Sequence, residues 1–200
     1  MVDNLPADYT ASTNAINDVL AKMEILGAKD LILTLHREPE NNFTGDQTRA
    51  FFTATLKALA AEAAKRSVML HLRVGSAKPP RNVTEGLEWL ERVNAPNLRL
   101  ALSTALLERQ PPAAEGSARL KDKLGLWLVA ASRRDAAGKV WDTHAPVHLQ
   151  HSTENLAQWL ALSPGTPAIL DALLSNQDEE YLEALALNRG LEQAASPATR

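Results

Sequence analysis

Two basic side chains alternate within one otherwise apolar segment, the stretch VMLHLRV at residues 68–74. His71 and Arg73 are separated by one residue, so in a β-strand both side chains point to the same face. If that face lines a cavity, the imidazole and the guanidinium form a basic pocket for a carboxylate or phosphate, because the arginine fork binds such anions bidentately. Alternatively, both side chains pair with neighbouring aspartates or glutamates. The sequence leaves both interpretations open.

A second polar pair, His36 and Glu38, follows the apolar run LILTL at residues 31–35. In (β/α) barrels the residues that do chemistry lie at the carboxyl ends of the strands. The placement of this pair is therefore suitable for a catalytic histidine and carboxylate. It suits the start of a solvated loop equally well.

The segment richest in potential ligands is WDTHAPVHLQH at residues 141–151. Imidazole and carboxylate groups bind zinc, but this spacing matches no known zinc motif, and Pro146 argues against a helix that would align the histidines. An aromatic ring such as Trp141 could stack on a sugar. The simplest interpretation is a surface loop with incidental histidines. As a binding site, its candidate residues are Trp141, Asp142, His144 and His148.

The composition limits the classes of function. The 200 residues, 45% of them hydrophobic, can bury the core of one domain, and a formal net charge of -3 gives no field that attracts nucleic acid or an anionic membrane. The absence of cysteine excludes thiolate metal sites and thiol nucleophiles. The N-terminus lacks the basic and apolar regions of a signal peptide, and no apolar run approaches the roughly 20 residues that span a bilayer. We expect a cytoplasmic protein with one domain over residues 1–200 and flexible ends at 1–9 and 192–200.

Apolar patterning predicts the elements that hold these side chains. Short continuous apolar runs predict strands at residues 31–35, 68–72, 98–102, 126–130 and 167–170. Helical spacing predicts helices at residues 16–26, 46–65, 83–93, 117–123, 153–162 and 178–191, with Gly27 ending the first and Thr84 capping the third. Residues 107–116 are predicted to be a loop and 132–138 a turn, with weaker extended segments at 139–141 and 147–149.

Strands that alternate with helices predict parallel βαβ units with right-handed crossovers. A doubly wound open sheet and a (β/α) barrel both have this pattern. The sequence contains neither Gly-x-Gly-x-x-Gly nor a P-loop, which favours the barrel. An open sheet that is complete in itself stays the alternative.

Three segments carry a likeness to a known family. They are VLAKMEILGAKDLILTLH, VTEGLEWLERVNAPNLRLALSTAL and PAILDALLSNQDEEYLEALALNRGL. In this order they resemble a helix ending in Leu-Gly-Ala before a strand, a helix and the fifth strand, and the last strand and helix of the xylose isomerase-like sugar isomerase/epimerase family. The likeness covers roughly residues 15–191. It implies the C-terminal portion of an α/β TIM barrel, with about five to six parallel strands, outer helices, and the first one or two βα units absent.

An incomplete barrel has two open sheet edges, which invite pairing with another segment or chain. On this resemblance we expect a further N-terminal barrel portion or a second copy of the chain at these edges. The expected ligand is a carbohydrate or a small anionic molecule. We expect no nucleic acid and no membrane as partners.

Members of this family typically hold a divalent cation such as Mg, Mn or Co with acids and histidines at successive strand ends, and the cation polarises a sugar oxygen. At the corresponding positions this chain has His71, Leu72 and Arg73, then Ser103 and Leu106, then Val129, Ala130 and Ser132, and finally Asp171. A lone carboxylate does not hold a divalent ion in water. The resemblance therefore implies a degenerate metal site, and we expect no metal and no other cofactor.

These expectations favour a barrel that has lost the family's chemistry and serves as a non-catalytic accessory or interaction module. One alternative is an active sugar isomerase or epimerase with a relocated site, in which a divalent metal would act. Its candidate catalytic residues are His36, Glu38, His71, Arg73 and Asp171. A second alternative is a carbohydrate-binding module centred on Trp141 and the nearby histidines.

Overall fold

The computed structural model describes residues 7–35, 45–75, 79–108, 114–134, 136–137, 140–147, 153–172 and 177–195. Five strands in these ranges form one parallel sheet: β1 (Asp30–Leu33), β2 (Met69–Val74), β3 (Leu98–Ser103), β4 (Leu124–Val129) and β7 (Ala168–Leu170). Two more strands, β5 (Ala131–Arg134) and β6 (Val140–Ala145), form an antiparallel hairpin. The five predicted strands are therefore present, with limits that differ by a residue or two.

The helices surround this sheet in sequence order. They are α1 (Ala7–Leu26), α2 (Gly45–Lys65), α3 (Val83–Val93), α4 (Thr104–Leu107), α5 (Ala114–Leu120), α6 (Thr153–Leu160) and α7 (Gln177–Ala195). α1 and α7 extend into the segments expected to be flexible ends, whose flexibility stays a prediction. Among the described helices, none is both long and apolar enough to cross a bilayer.

The order of the strands in the sheet is β1-β2-β3-β4-β7, which follows their order along the chain. A doubly wound sheet reverses its direction at a switch point, whereas a (β/α) barrel adds each new strand on the same side. The sheet is curled into part of a barrel, with the helices on its outer side. The fold is therefore the incomplete α/β barrel that the sequence predicts, and the open-sheet alternative is wrong.

The larger core lies between the sheet and the helices. On β2, Leu70, Leu72 and Val74 are buried in this core. Because successive side chains of a strand point to opposite faces, His71 and Arg73 share the other, concave face; the sequence predicted that they share a face but left open which one. A smaller apolar cluster lies apart from the main core and consists of Ala101, Leu126, Leu128 and the adjacent Ile32.

The segments between the main strands differ from the prediction. Residues 132–134, predicted to be a turn, are extended in β5, and residues 140–141 of the weak extended segment predicted at 139–141 form the start of β6. Only Ala130 separates β4 from β5, so the hairpin leaves the sheet directly. The predicted loop at 107–116 includes the end of α4 and the start of α5. The sequence ASRR of β5 has no apolar alternation, which explains why the pattern missed this strand.

The predicted helix ends are correct in one case and wrong in another. Gly27 follows α1 with a φ of 69°, the left-handed conformation expected of a glycine at this position. The N-cap of α3 is Asn82 and not Thr84, because the Asn82 side-chain oxygen accepts the amide hydrogen of Glu85 over 2.9 Å.

Candidate ligand site at the strand ends

The carboxyl ends of β2 and β7 bring an arginine and an aspartate together. Arg73 is the next-to-last residue of β2, and Asp171 directly follows β7. Nη2 of Arg73 lies 2.6 Å from Oδ2 of Asp171, and Nη1 lies 3.4 Å from Oδ1. The guanidinium thus contacts both oxygens of the carboxylate, with one short and one longer bond, in the bidentate arrangement that suits these groups.

This ion pair depends on the curvature of the sheet. β3 and β4 lie between β2 and β7 in the sheet. In a flat sheet three strand spacings of about 4.8 Å would separate the two strands by about 14 Å. Curling of the sheet brings the two side chains together over its concave face. We call this end of the half-barrel, marked by Arg73, His144 and Asp171, the mouth.

His144 on β6 completes the mouth. Its Nε2 lies 3.0 Å from Nη2 of Arg73 and 3.8 Å from Oδ2 of Asp171. An arginine nitrogen only donates, so in this geometry Nε2 of His144 accepts and the ring proton lies on Nδ1. The side chains of His144, Arg73 and Asp171 are 38%, 22% and 19% exposed, so a small molecule can reach the group.

Polar contacts fix the hairpin of β5 and β6 beside the mouth. Oγ1 of Thr104 donates to the carbonyl oxygen of Ala130 over 2.5 Å and accepts from its amide over 3.0 Å. The amide of Ser132 lies 3.2 and 3.3 Å from the two carboxylate oxygens of Glu108. α4 and the residue after it therefore hold the start of the hairpin, and β6 carries His144 to Arg73.

A buried acid holds the other end of the hairpin. The carboxylate of Glu183 on α7 accepts the amide hydrogen of Val147 over 2.7 Å, and Glu183 is fully buried. None of Thr104, Glu108 and Glu183 has a local sequence pattern that signals its role. Each acts on a residue more than 20 positions away, so its partner depends on the tertiary fold.

His71 lies one inward-facing position before Arg73 and has a different partner. Its Nε2 lies 2.7 Å from Oδ1 of Asp30, at the start of β1. His71 is 2% exposed, and its Nδ1 has no hydrogen-bond partner among the described residues. A Cβ on Gly125 would lie 2.7 Å from the His71 ring and from Cβ of Arg99. Only a glycine therefore leaves room for these side chains near the strand starts.

No family model and no curated protein matches the sequence, whereas several solved structures match the fold. The IolI protein with a bound zinc atom is 14% identical, with a TM-score of 0.71 over 100% of this chain and 75% of that chain. A xylose isomerase-like TIM-barrel protein from Mycobacterium smegmatis in complex with magnesium is 13% identical, with a TM-score of 0.69 over 93% and 69% of the two chains. D-allulose 3-epimerase from Methylomonas sp. in complex with D-allulose is 18% identical, with a TM-score of 0.66 over 94% and 70%.

The chain has the xylose isomerase-like TIM-barrel fold. At these identities the likeness concerns the fold alone, and it agrees with the sequential strand order and with the resemblance of the helix–strand segments.

The donors at the mouth do not fit a divalent cation, although the IolI protein holds zinc and the Mycobacterium smegmatis barrel holds magnesium. Among the described residues, no three histidines, aspartates or glutamates lie together. Both oxygens of Asp171 contact the guanidinium of Arg73, whose positive charge would repel a metal ion. After β3, the positions that correspond to the family's ligands are Ser103 at the strand end and Leu106 in α4, both buried, and Leu106 has no donor atom.

The structure places the sequence-predicted site residues in different locations. It brings Arg73 and Asp171 together, adds His144 to them, and gives His71 a separate partner. Trp141 and Asp142 lie on β6, with side chains outside the described parts of the structure. His36, Glu38, His148 and His151 lie outside the described residues altogether. The expected surface loop is wrong for His144, which lies in a strand and contacts the ion pair.

Proposed function

We propose that this chain is a non-catalytic barrel module, which binds a ligand or partner and does not carry out metal-dependent sugar isomerisation. The observation that carries the proposal is the bidentate contact of Arg73 with Asp171 at the mouth. Asp171 is the one acid in register with the metal ligands that the family resemblance implies. In this chain the guanidinium of Arg73 lies beside that acid, where a metal ion would otherwise bind.

A guanidinium cannot do the chemistry of a divalent metal ion. The metal accepts electron pairs from a sugar oxygen at open coordination positions and so polarises it. Arg73 offers only N–H donors, and a guanidinium stays protonated in proteins, so it does not act as a base. The side chains of the mouth can therefore orient an anion or a polyol by hydrogen bonds and charge.

The geometry gives less support to an active isomerase with a relocated site. That alternative requires His71 and Asp171 to act on one substrate. His71 pairs with Asp30 towards the strand starts, whereas Asp171 pairs with Arg73 at the strand ends. Both proposed catalytic groups are thus already paired, each with a different partner.

Metal analysis tests the proposal. The purified protein is incubated with Mn²⁺, desalted, and analysed by plasma mass spectrometry, together with an activity assay on a panel of ketoses. We expect metal far below one equivalent and no turnover. A double variant, R73E with S103D, serves as a matched control, because it places two further carboxylates beside Asp171 and should increase Mn²⁺ binding. One tightly bound metal ion per wild-type chain, or turnover of any ketose, would overturn the proposal.

A carbohydrate-binding module is the second candidate, and the position of the hairpin favours it. His144 contacts Arg73, so the strand that carries Trp141 and Asp142 lies beside the mouth. A barrel of the same fold binds D-allulose. A panel of sugars should then quench tryptophan fluorescence. Trp141→Ala should abolish the quenching, whereas Trp159→Phe on α6 should preserve it, and quenching that survives Trp141→Ala would contradict this candidate.

A further inference from the structure

We propose that the mouth binds a small carboxylate ligand, a sugar acid, on the guanidinium of Arg73, and that this ligand displaces Asp171. The inference rests on the proposed function, because a mouth that held a metal ion would need the Asp171 carboxylate for the metal. In this assignment Asp171 occupies the place of the ligand when none is bound. No residue of the mouth is a catalyst in this scheme.

The geometry of the ion pair defines the ligand. The fork of Arg73 meets the two oxygens of one planar carboxylate at 2.6 and 3.4 Å, the arrangement that an incoming carboxylate would reproduce. The contact between Nη1 and Oδ1 is longer than a typical hydrogen bond, so Asp171 makes one strong and one weak bond to the guanidinium. A free ligand can adjust its position, whereas Asp171 is tethered to the end of β7.

The exposure of the pair makes the exchange possible. Arg73 and Asp171 are each about one-fifth exposed, at 22% and 19%. An ion pair that water reaches contributes little net free energy, since its groups are almost as well solvated when apart. Replacing one carboxylate by another therefore costs little, and additional contacts of the ligand decide the affinity.

The surroundings favour a monoanion with hydroxyl groups. Asp171 stays near Arg73 after its displacement, so its negative charge repels a phosphate dianion more than a carboxylate. Nε2 of His144 on β6 lies 3.0 Å from Nη2 of the fork, and Ser103 shares the concave face with Ala101, the register partner of Arg73 on β3, so both put polar atoms on this side of the sheet.

Calorimetric titration with D-galacturonate tests the inference, with D-galactose as the uncharged control. Asp171→Asn removes the competing carboxylate and keeps the shape of the side chain. We expect this variant to bind D-galacturonate at least fivefold more tightly than the wild-type protein, with no comparable gain for D-galactose. Arg73→Gln should abolish binding in either background. Arg99→Gln is a matched control on the neighbouring strand, because the Arg99 guanidinium donates to the carbonyl of Asp122 away from the mouth.

Each result of these titrations either supports or overturns the inference. Binding that is absent or weaker in Asp171→Asn, equal affinity for D-galactose, or tighter binding of inorganic phosphate would each overturn the inference. Circular dichroism checks that the variants fold. If Arg73→Gln does not fold, Arg73→Lys keeps the positive charge and loses the fork, and it should weaken binding severalfold. Failure of the proposed function would appear separately, as bound metal or ketose turnover in the wild-type protein.

Discussion

At the scale of single residues, two basic side chains of one strand have aspartates as partners. The alternation of His71 and Arg73 was enough to predict that they share a face of β2. Their partners were harder to predict, because Asp30 precedes His71 by 41 positions and Asp171 follows Arg73 by 98. The choice between a basic pocket and local pairing therefore depends on tertiary structure. His71 pairs with an aspartate, as one of the two interpretations predicts. Arg73 also contacts an aspartate, and our proposal is that a ligand takes the place of that aspartate.

Gly125→Ala should destabilise the protein by about 1–3 kcal/mol, because the added methyl group overpacks its surroundings. A Cβ at this position would lie 2.7 Å from the ring of His71 and from Cβ of Arg99. Urea unfolding followed by circular dichroism measures the change in free energy of unfolding. In a His71→Ala background the same substitution should cost less, although Arg99 still limits the space. An equal cost in both backgrounds would show that the His71 ring is not the obstacle.

At the scale of elements, continuous apolar runs identified all five strands of the main sheet. Runs such as LGLWLV in β4 are buried on both faces, so their composition alone marks them as central strands. β5 was missed and β6 was predicted only at its start, because these strands consist largely of polar residues and are stabilised by contacts from α4, from Glu108 and from α7. Those contacts join distant parts of the chain, and no local pattern encodes them. The same hairpin places His144 at the mouth, so the contact of His144 with Arg73 was not predictable, although the sequence had marked His144 as a candidate binding residue.

The residue that caps the start of α3 is Asn82 in the structure, whereas the sequence pattern predicted Thr84. Asn82→Ala should reduce the free energy of unfolding by about 1 kcal/mol, because the amide of Glu85 loses its acceptor. Thr84→Ala, at the position that the sequence pattern favoured as the cap, should change it by less than about 0.5 kcal/mol. Thermal and urea unfolding of both variants provide the comparison. A larger effect at Thr84 than at Asn82 would contradict the observed cap.

At the scale of the whole molecule, the free energy of folding comes mainly from the layer between sheet and helices. This layer contains most of the buried apolar side chains, whereas the smaller cluster on the concave side has three buried members. The alternation of elements predicted parallel βαβ units, whereas the choice of a curved barrel over an open sheet rested on the missing glycine motifs and on the family resemblance. β1 and β7 are the edges of the main sheet in the described part of the chain. A partner at these edges, whether a barrel portion or a second copy, stays a prediction.

Leu56→Ala should lower the free energy of unfolding by about 2–5 kcal/mol, because this side chain of α2 is fully buried in the larger core and its loss leaves a cavity. Leu182→Ala on α7 is the matched control, since Leu182 is 45% exposed. It should change the free energy by less than about 1 kcal/mol. Equal losses in urea unfolding would mean that Leu182 is covered in solution.

The contact between Arg73 and Asp171 joins two strands that share no backbone hydrogen bonds. In a closed barrel, pairing around the full circumference maintains the radius. In an open arc, a side-chain link between two strands that are not neighbours opposes flattening of the strands between them. A molecule that takes the place of Asp171 would release that link, so occupancy of the arginine would be coupled to the bend of the sheet, and the coupling would be weak because a partly exposed ion pair contributes little net free energy.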